Sequence, residues 1–394
     1  MMRVAVLGGG PAGAYAAERL ASAGLPTFLF DEKLAWEKPC GGGLTFKAYH
    51  RYPFLISNSR PKKLVTRLRL AAPGVGACSM NLKRPLIVYS RRELNAMLLE
   101  RAAQAGASLE RERVTGLRRT EGGWAVETSR GTVHAHYCII ATGARNPLRP
   151  YGTRWSAADT MHALGYYLPG EQDHIDVQFL DHFEGYIWVF PRCGHLSVGI
   201  CGKGEAARRL KLRLHRFLEE RGLSWEGAPF YAHVLPSLAP GSWRRNRIAG
   251  EGWMAAGDAA GLVDPITGEG LYYAVRSAEL AARALVEEGR QGEAAGLAYQ
   301  RWVLEDFGRD LEFAARLSKR LFLGRLLFGS VPARVVGFSR QSPRFLDLVQ
   351  DLLAGTQSYL GLKNRLVHSL NGTLHEIVMS FFFRRMLPSQ ASSR

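Results

Sequence analysis

The chain begins with an apolar run, Val4-Ala5-Val6-Leu7, that stops at three consecutive glycines. A short run apolar at every position predicts a strand buried on both faces of a parallel sheet. Residues 11–24 predict a helix closed by Gly24, and Thr27 to Asp31 predict a second buried strand, so the opening reads as a β-α-β unit. From 61 to 90 the pattern switches to short strands with turns, and 91–106 predicts a helix ended by Gly106. Residues 107–141 predict a small meander, turning at 121–123 and 130–131, followed by the buried strand Tyr137-Cys138-Ile139-Ile140-Ala141. Residues 159–202 are rich in strands and aromatics. Met254 to Asp258 predict another apolar strand running into glycine, 269–288 a long helix, and everything after about 293 reads as helical.

This interleaving predicts an α/β fold with a Rossmann-like, parallel-sheet nucleotide domain, an antiparallel-sheet substrate domain and a helical C-terminal region. The nucleotide domain is expected to be discontinuous, built from 1–60, 91–155 and 240–290. The substrate domain takes 61–90 and 156–239, and the helical region takes 291–394. At 394 residues and 46% hydrophobic, the chain can bury cores of that size.

Composition narrows the setting. Cys40, Cys78, Cys138, Cys193 and Cys201 are scattered, with no C-x-x-C pair to suggest zinc or a redox dithiol, and no metal site is expected. The N-terminal apolar run is too short and glycine-broken for a secretory leader, and no uncharged stretch of 18 apolar residues predicts a membrane span. A reduced, cytoplasmic setting is the simplest reading. The net charge of +17 is uneven: seven Lys or Arg and no acid lie between Phe313 and Leu346. With no nucleic-acid motif in the chain, anionic lipid is the specific partner expected there, against the plain alternative of a solvated basic face. On a helical wheel Arg316, Lys319, Arg320 and Arg325 spread around residues 313–330 rather than sharing a side, which weakens an interfacial helix.

Three glycine clusters carry candidate chemistry. Gly8-Gly9-Gly10-Pro11-Ala12-Gly13 satisfies G-x-G-x-x-G between a predicted strand and helix. One glycine permits the tight turn, one lets backbone approach a pyrophosphate, and one allows close helix–strand packing. The pyrophosphate would rest on free N–H groups at the positive end of the helix dipole. Asp31 ends the second strand, where an acid can hold ribose hydroxyls, with Glu32 as the neighbouring candidate. The second cluster, Gly257-Asp258 through Pro265 and on to Gly268-Glu269-Gly270, again links a strand to a helix. The third is Lys38-Pro39-Cys40-Gly41-Gly42-Gly43-Leu44-Thr45, and downstream stands Gly185-Tyr186-Ile187-Trp188-Val189-Phe190-Pro191. Residues two apart on a strand share a face, so Tyr186, Trp188 and Phe190 would form one aromatic wall, suited to a long apolar ligand or a flavin. Tyr166, Tyr167, Phe179 and Phe183 could extend it, although core packing is the expectation for these four.

With this second cluster the sequence resembles the FAD-dependent oxidoreductases that include hydroxylases and halogenases. The third cluster and the Tyr186–Pro191 segment resemble those of geranylgeranyl reductases within that group. The resemblance covers residues 2–290. It implies FAD as cofactor, with Asp258 on the ribityl chain, the helix after Gly270 aimed at the flavin pyrimidine edge, and the short Ala141-Thr142-Gly143-Ala144 segment beside the cofactor. It also implies Arg91 near the flavin, with Arg92 one position away, and the Cys40–Gly43 loop over the ring. Cys40 would tune the flavin, meet substrate or simply pack.

The implied chemistry is reduction of an isoprenoid double bond by hydride from reduced flavin, with no proton donor identified. With a single dinucleotide fingerprint, electrons would come from transient NAD(P)H, a ferredoxin-like protein or a quinol. The alternatives are a monooxygenase or halogenase-like enzyme on an apolar or aromatic substrate, and a non-catalytic prenyl-lipid carrier. Tyr186–Pro191 departs from the halogenase W-x-W-x-I-P at its first and fifth positions.

Overall fold

In the computed structural model, Val4–Leu7 lies at the middle of a six-stranded sheet, paired in parallel with Thr27–Phe30 on one side and Tyr137–Ile140 on the other. The description covers residues 2–365, apart from 149–150, 290–291, 327–328 and 363, so the later part of the expected 291–394 helical region lies outside it. Ser108–Glu110 extends one edge of the sheet; Trp253–Ala255, followed by antiparallel Ala249–Gly250, extends the other. All four side chains of Val4–Leu7 are fully buried, as a strand covered on both faces requires. Helix Pro11–Ser22 packs on helices Arg91–Gln104 and Leu271–Glu287, giving the main core. The meander appears as Val114–Thr120, Gly123–Thr128 and Gly131–Ala135.

The second sheet has eight strands, in the order Phe230–Pro236, Thr160–Leu168, Leu196–Lys203, Gly185–Pro191, His174–Phe179, Lys62–Ala72, Gly76–Tyr89 and Gly43–Leu44. The expected short strands of 61–90 are in fact two long ones. Their register slips between Val65 and Arg67, so that residues 82–85 loop out of the ladder. Pro85, which has no N–H to give, sits in that loop. Gly43–Leu44 joins this sheet, although the sequence pattern grouped it with the nucleotide half.

Helices cover the two faces of this sheet differently. Ala207–Glu220 packs Leu210, Leu214, Phe217 and Leu218 against Ile187, Val189 and Val198 on one face. On the opposite face, Val331–Gln341 and Pro343–Ala354 pack against Leu68, Leu70 and Ile175. Each of these two helices starts from a serine: Ser330 accepts from the Ala333 N–H at 3.4 Å and Ser342 from the Phe345 N–H at 3.3 Å, with a proline in the first turn. The C-terminal region departs from the all-helical expectation at Arg325–Leu326 and Gly329–Ser330, which pair as a small hairpin. Gly324 makes that exit from the preceding helix, since a Cβ there would overlap the Arg320 carbonyl.

Candidate functional site

The first glycine cluster makes the turn its spacing calls for. Gly8 has φ +112°, and a side chain on it would strike the Ala141 carbonyl. A side chain on Gly13 would overlap the Gly8 carbonyl, so helix and strand can close only on glycine. Gly10 meets open space instead. It caps Pro11–Ser22 without a side-chain hydrogen bond, leaving first-turn N–H groups free to meet a ligand. Asp31 buttresses this turn: one oxygen accepts from Gly9 N–H at 2.7 Å and the other from Lys33 and Leu34 at 2.8 and 2.7 Å. Glu32 points into solvent near Arg113.

Gly10, Pro11 and Ala12 open onto a continuous cavity of about 510 Å³. The other two clusters wall the same end of it, through Lys38 to Gly43 and through Asp258 and Gly268 to Gly270, with Ala141 and Gly143 beside them. Gly8, Gly13, Asp31, Glu32, Gly257 and Pro265 are not in this wall. Gly8, Gly13 and Gly257 lie behind it, and Gly257 would press a side chain on Ala12 and Ala274, while Asp31 is partly exposed beside Gly9. Arg91 is buried and faces the cavity, whereas its neighbour Arg92 is exposed.

The triple-glycine loop is held from below. Gly42 has φ +84° and lies against the Tyr89 carbonyl, and a Cβ on Gly43 would come within 2.7 Å of the Phe190 ring. Arg192, with no exposed surface, donates to Glu37 at 2.5 Å and to the Cys40 carbonyl. Ser197 also donates to that carbonyl, at 3.2 Å, and shares a hydrogen bond with Tyr231. Glu37 further accepts from Ser90 Oγ at 2.6 Å and Arg91 N–H at 3.0 Å. Burial pushes the Glu37 carboxyl up, but Arg192, Ser90 and Arg91 outweigh it and hold the group below the usual range. The Cys40 thiol is tied within its own loop, accepting from Gly42 N–H at 3.3 Å.

Tyr186, Trp188 and Phe190 share the cavity face of their strand, as the period-two pattern requires, while Ile187 and Val189 face the opposite side. The Tyr186 hydroxyl donates to the Thr267 carbonyl, joining the aromatic wall to the second glycine cluster. Of the four flanking aromatics, Phe179 lines the cavity, whereas Tyr166 and Phe183 are core. Lys38 spans the opening to Asp258 at 3.3 Å. His233 faces the same space and is held neutral, its pKa lowered to about 4 by burial first and then by Lys38.

Away from the glycines the cavity becomes apolar. Leu68, Leu70, Ile175 and Val177 form its floor, and Phe322, Val335, Phe338, Leu348 and Leu352 its roof. Leu326, 40% exposed, lines it beside the hairpin, with Arg334 close by.

The glycine-walled end fits FAD. Its turns leave room for backbone approach, helix ends supply N–H groups, and Arg91 Nε, His233 Nε2 and Trp188 Nε1 have no hydrogen-bond partner among the described residues. Sequence reading missed Glu37, Lys47 and Arg192, which flank the quoted motifs, as well as His233 and the whole roof of the apolar end. The alternating Leu and Val positions of 331–354 were the only signal for that roof, and they resemble any core-facing helix.

Comparison with known proteins agrees with this geometry. The profile of the FAD dependent oxidoreductase family matches residues 87–282, and that of the pyridine nucleotide-disulphide oxidoreductases matches 2–163. The chain is 28% identical to the chloroplastic geranylgeranyl diphosphate reductase of Arabidopsis thaliana, over 74% of this chain and 67% of the relative. It is 29% identical to digeranylgeranylglycerophospholipid reductase 2 of Methanothermobacter thermautotrophicus, over 81% and 87%. A geranylgeranyl bacteriochlorophyll reductase-like structure from Thermoplasma acidophilum superposes with a TM-score of 0.78 at 22% identity, covering 95% of this chain and 98% of that one. Flavin-dependent halogenases and monooxygenases share the fold.

Proposed function

We propose that this chain, an FAD-dependent oxidoreductase resembling the geranylgeranyl reductases, saturates double bonds of a long isoprenoid substrate. The observation that carries the reading is the cavity's continuity. One end is built of glycine turns suited to a dinucleotide, and the same space runs on between the sheet and the helices of 331–354 with almost no polar side chain. A prenyl chain needs such a slot, and one large enough to take it excludes water from the reacting carbons.

In this reading Gly8 to Gly13 seat the pyrophosphate, Asp31 takes the ribose, and Asp258 takes the ribityl chain. Arg91 and residues 141–143 flank the ring, and Gly268 to Gly270 meet its pyrimidine edge. When bound, FAD supplies hydride. The residues of this chain orient the ring, through the Cys40–Gly43 loop and the Tyr186–Phe190 wall, and keep the chamber dry. The electron donor is NAD(P)H, a ferredoxin-like protein or a quinol, drawn from outside the chain.

The test is anaerobic single turnover of chemically reduced, FAD-loaded protein with geranylgeranyl diphosphate and with geranylgeranylated glycerophospholipid. A mass gain of two hydrogens per saturated bond is expected with at least one of them. Turnover only with oxygen consumption assigns a monooxygenase instead, and FAD binding with neither outcome assigns a carrier.

Lipid entry belongs to the same proposal. Exposed Leu323 and Leu326 stand beside Arg325 and Arg334 where the apolar end meets the surface, a combination suited to an anionic bilayer. Among the described residues no helix is long and apolar enough to cross a membrane. Flotation with anionic but not neutral vesicles is expected.

A further inference from the structure

Beside the second glycine cluster, one lysine and four acids meet in a way that holding a cofactor does not require. Lys47 lies over the rings of Tyr272 and Tyr273, 4.4 and 5.4 Å from their centroids. Glu269, Asp310, Asp306 and Asp264 surround it at electrostatic range, none close enough to form an ion pair with it. Three of these acids are tied elsewhere. Asp264 accepts from the Tyr359 hydroxyl at 2.8 Å and from Ile266 and Thr267 N–H, Asp310 accepts from Leu360 N–H at 2.9 Å, and Asp306 is paired with Arg276.

Glu269, Asp264 and Lys47 all line the cavity, but Asp264 is engaged by the Tyr359 hydroxyl and two backbone N–H groups, whereas Glu269 accepts only backbone N–H at the start of its helix. It accepts from Tyr272 N–H at 2.7 Å, and its remaining accessible surface opens on the cavity interior. Burial raises its carboxyl to about 7; Asp264 adds to the rise and Lys47 opposes it. Burial likewise lowers the Lys47 ammonium from its ordinary value. The groups facing Glu269 are thus Lys47, Asp264 and Tyr273, with Asp306, Asp310 and Tyr359 behind them. Negative charge added to the cavity must strengthen proton binding at a carboxylate so placed, since like charges disfavour its ionised form.

We propose that Glu269, under the electrostatic influence of Lys47, is a redox-linked proton store that takes up one proton from solvent when the FAD site gains an electron pair. The inference rests on the FAD reading above. The Glu269 carboxylate becomes a neutral carboxyl while an electron pair and one further proton are added to the cofactor, so two protons enter with two electrons. Saturating a double bond consumes one hydride and one proton, and the stored proton completes that pair on the cavity wall. A glutamate serving only to cap the Tyr272 N–H would be replaced without loss by glutamine, whose amide oxygen accepts the same bond.

The experiment is an anaerobic dithionite titration of the FAD-loaded protein across roughly pH 6 to 9. The slope of midpoint potential against pH counts protons taken up per electron pair. Wild type should take up close to two above about pH 7, and Glu269→Gln one. Lys47→Met should move the two-proton window to higher pH, because removing the cation leaves Glu269 protonated before reduction. Equal proton counts for wild type and Glu269→Gln throughout overturn the proposal. As a check that needs no variant, photoreduction of the wild-type holoprotein at about pH 8 with a pH-indicator dye must show more than one proton per flavin. One proton or fewer overturns the proposal while leaving the FAD reading intact, whereas a protein that takes up no FAD removes both.

Discussion

The two ends of the cavity are built on opposite principles. At the glycine end the wall is largely backbone. Gly42 and Gly268 in the wall, and Gly8 and Gly257 behind it, all hold positive φ, and closely packed carbonyls leave Gly8 and Gly42 no room for a side chain. At the apolar end the wall is side chains alone, leucine, valine and phenylalanine from one sheet and three separate helical segments. The first design tolerates almost no substitution because its geometry is set by steric exclusion. The second tolerates many, because apolar side chains of similar volume can replace one another. A polar cofactor of constant shape suits the first, and a flexible hydrocarbon the second.

Changes at each end should therefore fail differently, and the largest effect is expected at the glycine turn. Gly13→Val must force the helix away from Gly8, costing ~3 kcal/mol or more and abolishing FAD uptake. Flavin absorbance and a denaturant melt read both effects. Retained FAD would mean that the turn is not set by steric exclusion. Next is Arg192→Met, which strands Glu37 beneath the glycine loop; a loss of about 3 kcal/mol is expected, with weaker FAD binding. Adding Glu37→Gln should recover part of that loss, so an additive double variant would show that the two residues are not coupled.

At the apolar end, Val177 stands directly opposite Trp188 across the strands and faces the cavity. Val177→Trp should leave FAD content unchanged but slow turnover of a twenty-carbon prenyl chain about tenfold more than that of a ten-carbon one. A variant that lost FAD instead would erase the contrast between the ends.

The smallest effect concerns two glutamates shifted in opposite directions. Glu37 is held below its usual pKa, so its contribution to stability is present above the unfolded-state value and fades as acid reaches the folded one. Glu269 is raised to about 7, so the folded cofactor-free protein binds that proton more tightly, and stability falls as pH rises from the unfolded value toward neutrality. In melts of cofactor-free protein, Glu269→Gln should gain on wild type between about pH 5 and 8, by ~1 kcal/mol, while Glu37→Gln should lose most above about pH 5. Parallel pH profiles would refute the assignment of opposite shifts.

The contrast also explains what could be read from the chain. Glycines at positive φ come in fixed local spacings, so the three clusters and the aromatic Tyr186–Phe190 strand were visible without coordinates. The parallel sheet was too, because Val4–Leu7 and Tyr137–Ile140 are apolar throughout. Arg192 and His233 gave no such signal, since one is a single polar residue just past the end of a strand and the other a single polar residue on a strand. Arg192 finds its partner 155 residues away in the chain. The basic run of 313–346 read as one feature but is divided among separate elements, where Arg316 pairs with Glu312 and Arg340 binds the Val75 carbonyl.

Arg192 has one more consequence. It stands in the turn between two strands of the antiparallel sheet, yet its side-chain hydrogen bonds end on the loop that follows the first β-α-β unit. Parting that loop from the sheet would strip the buried guanidinium of its carboxylate and carbonyl partners together. The molecule should therefore come undone in one concerted transition, and whatever tightens its grip on the nucleotide should also stiffen the chamber waiting for the hydrocarbon.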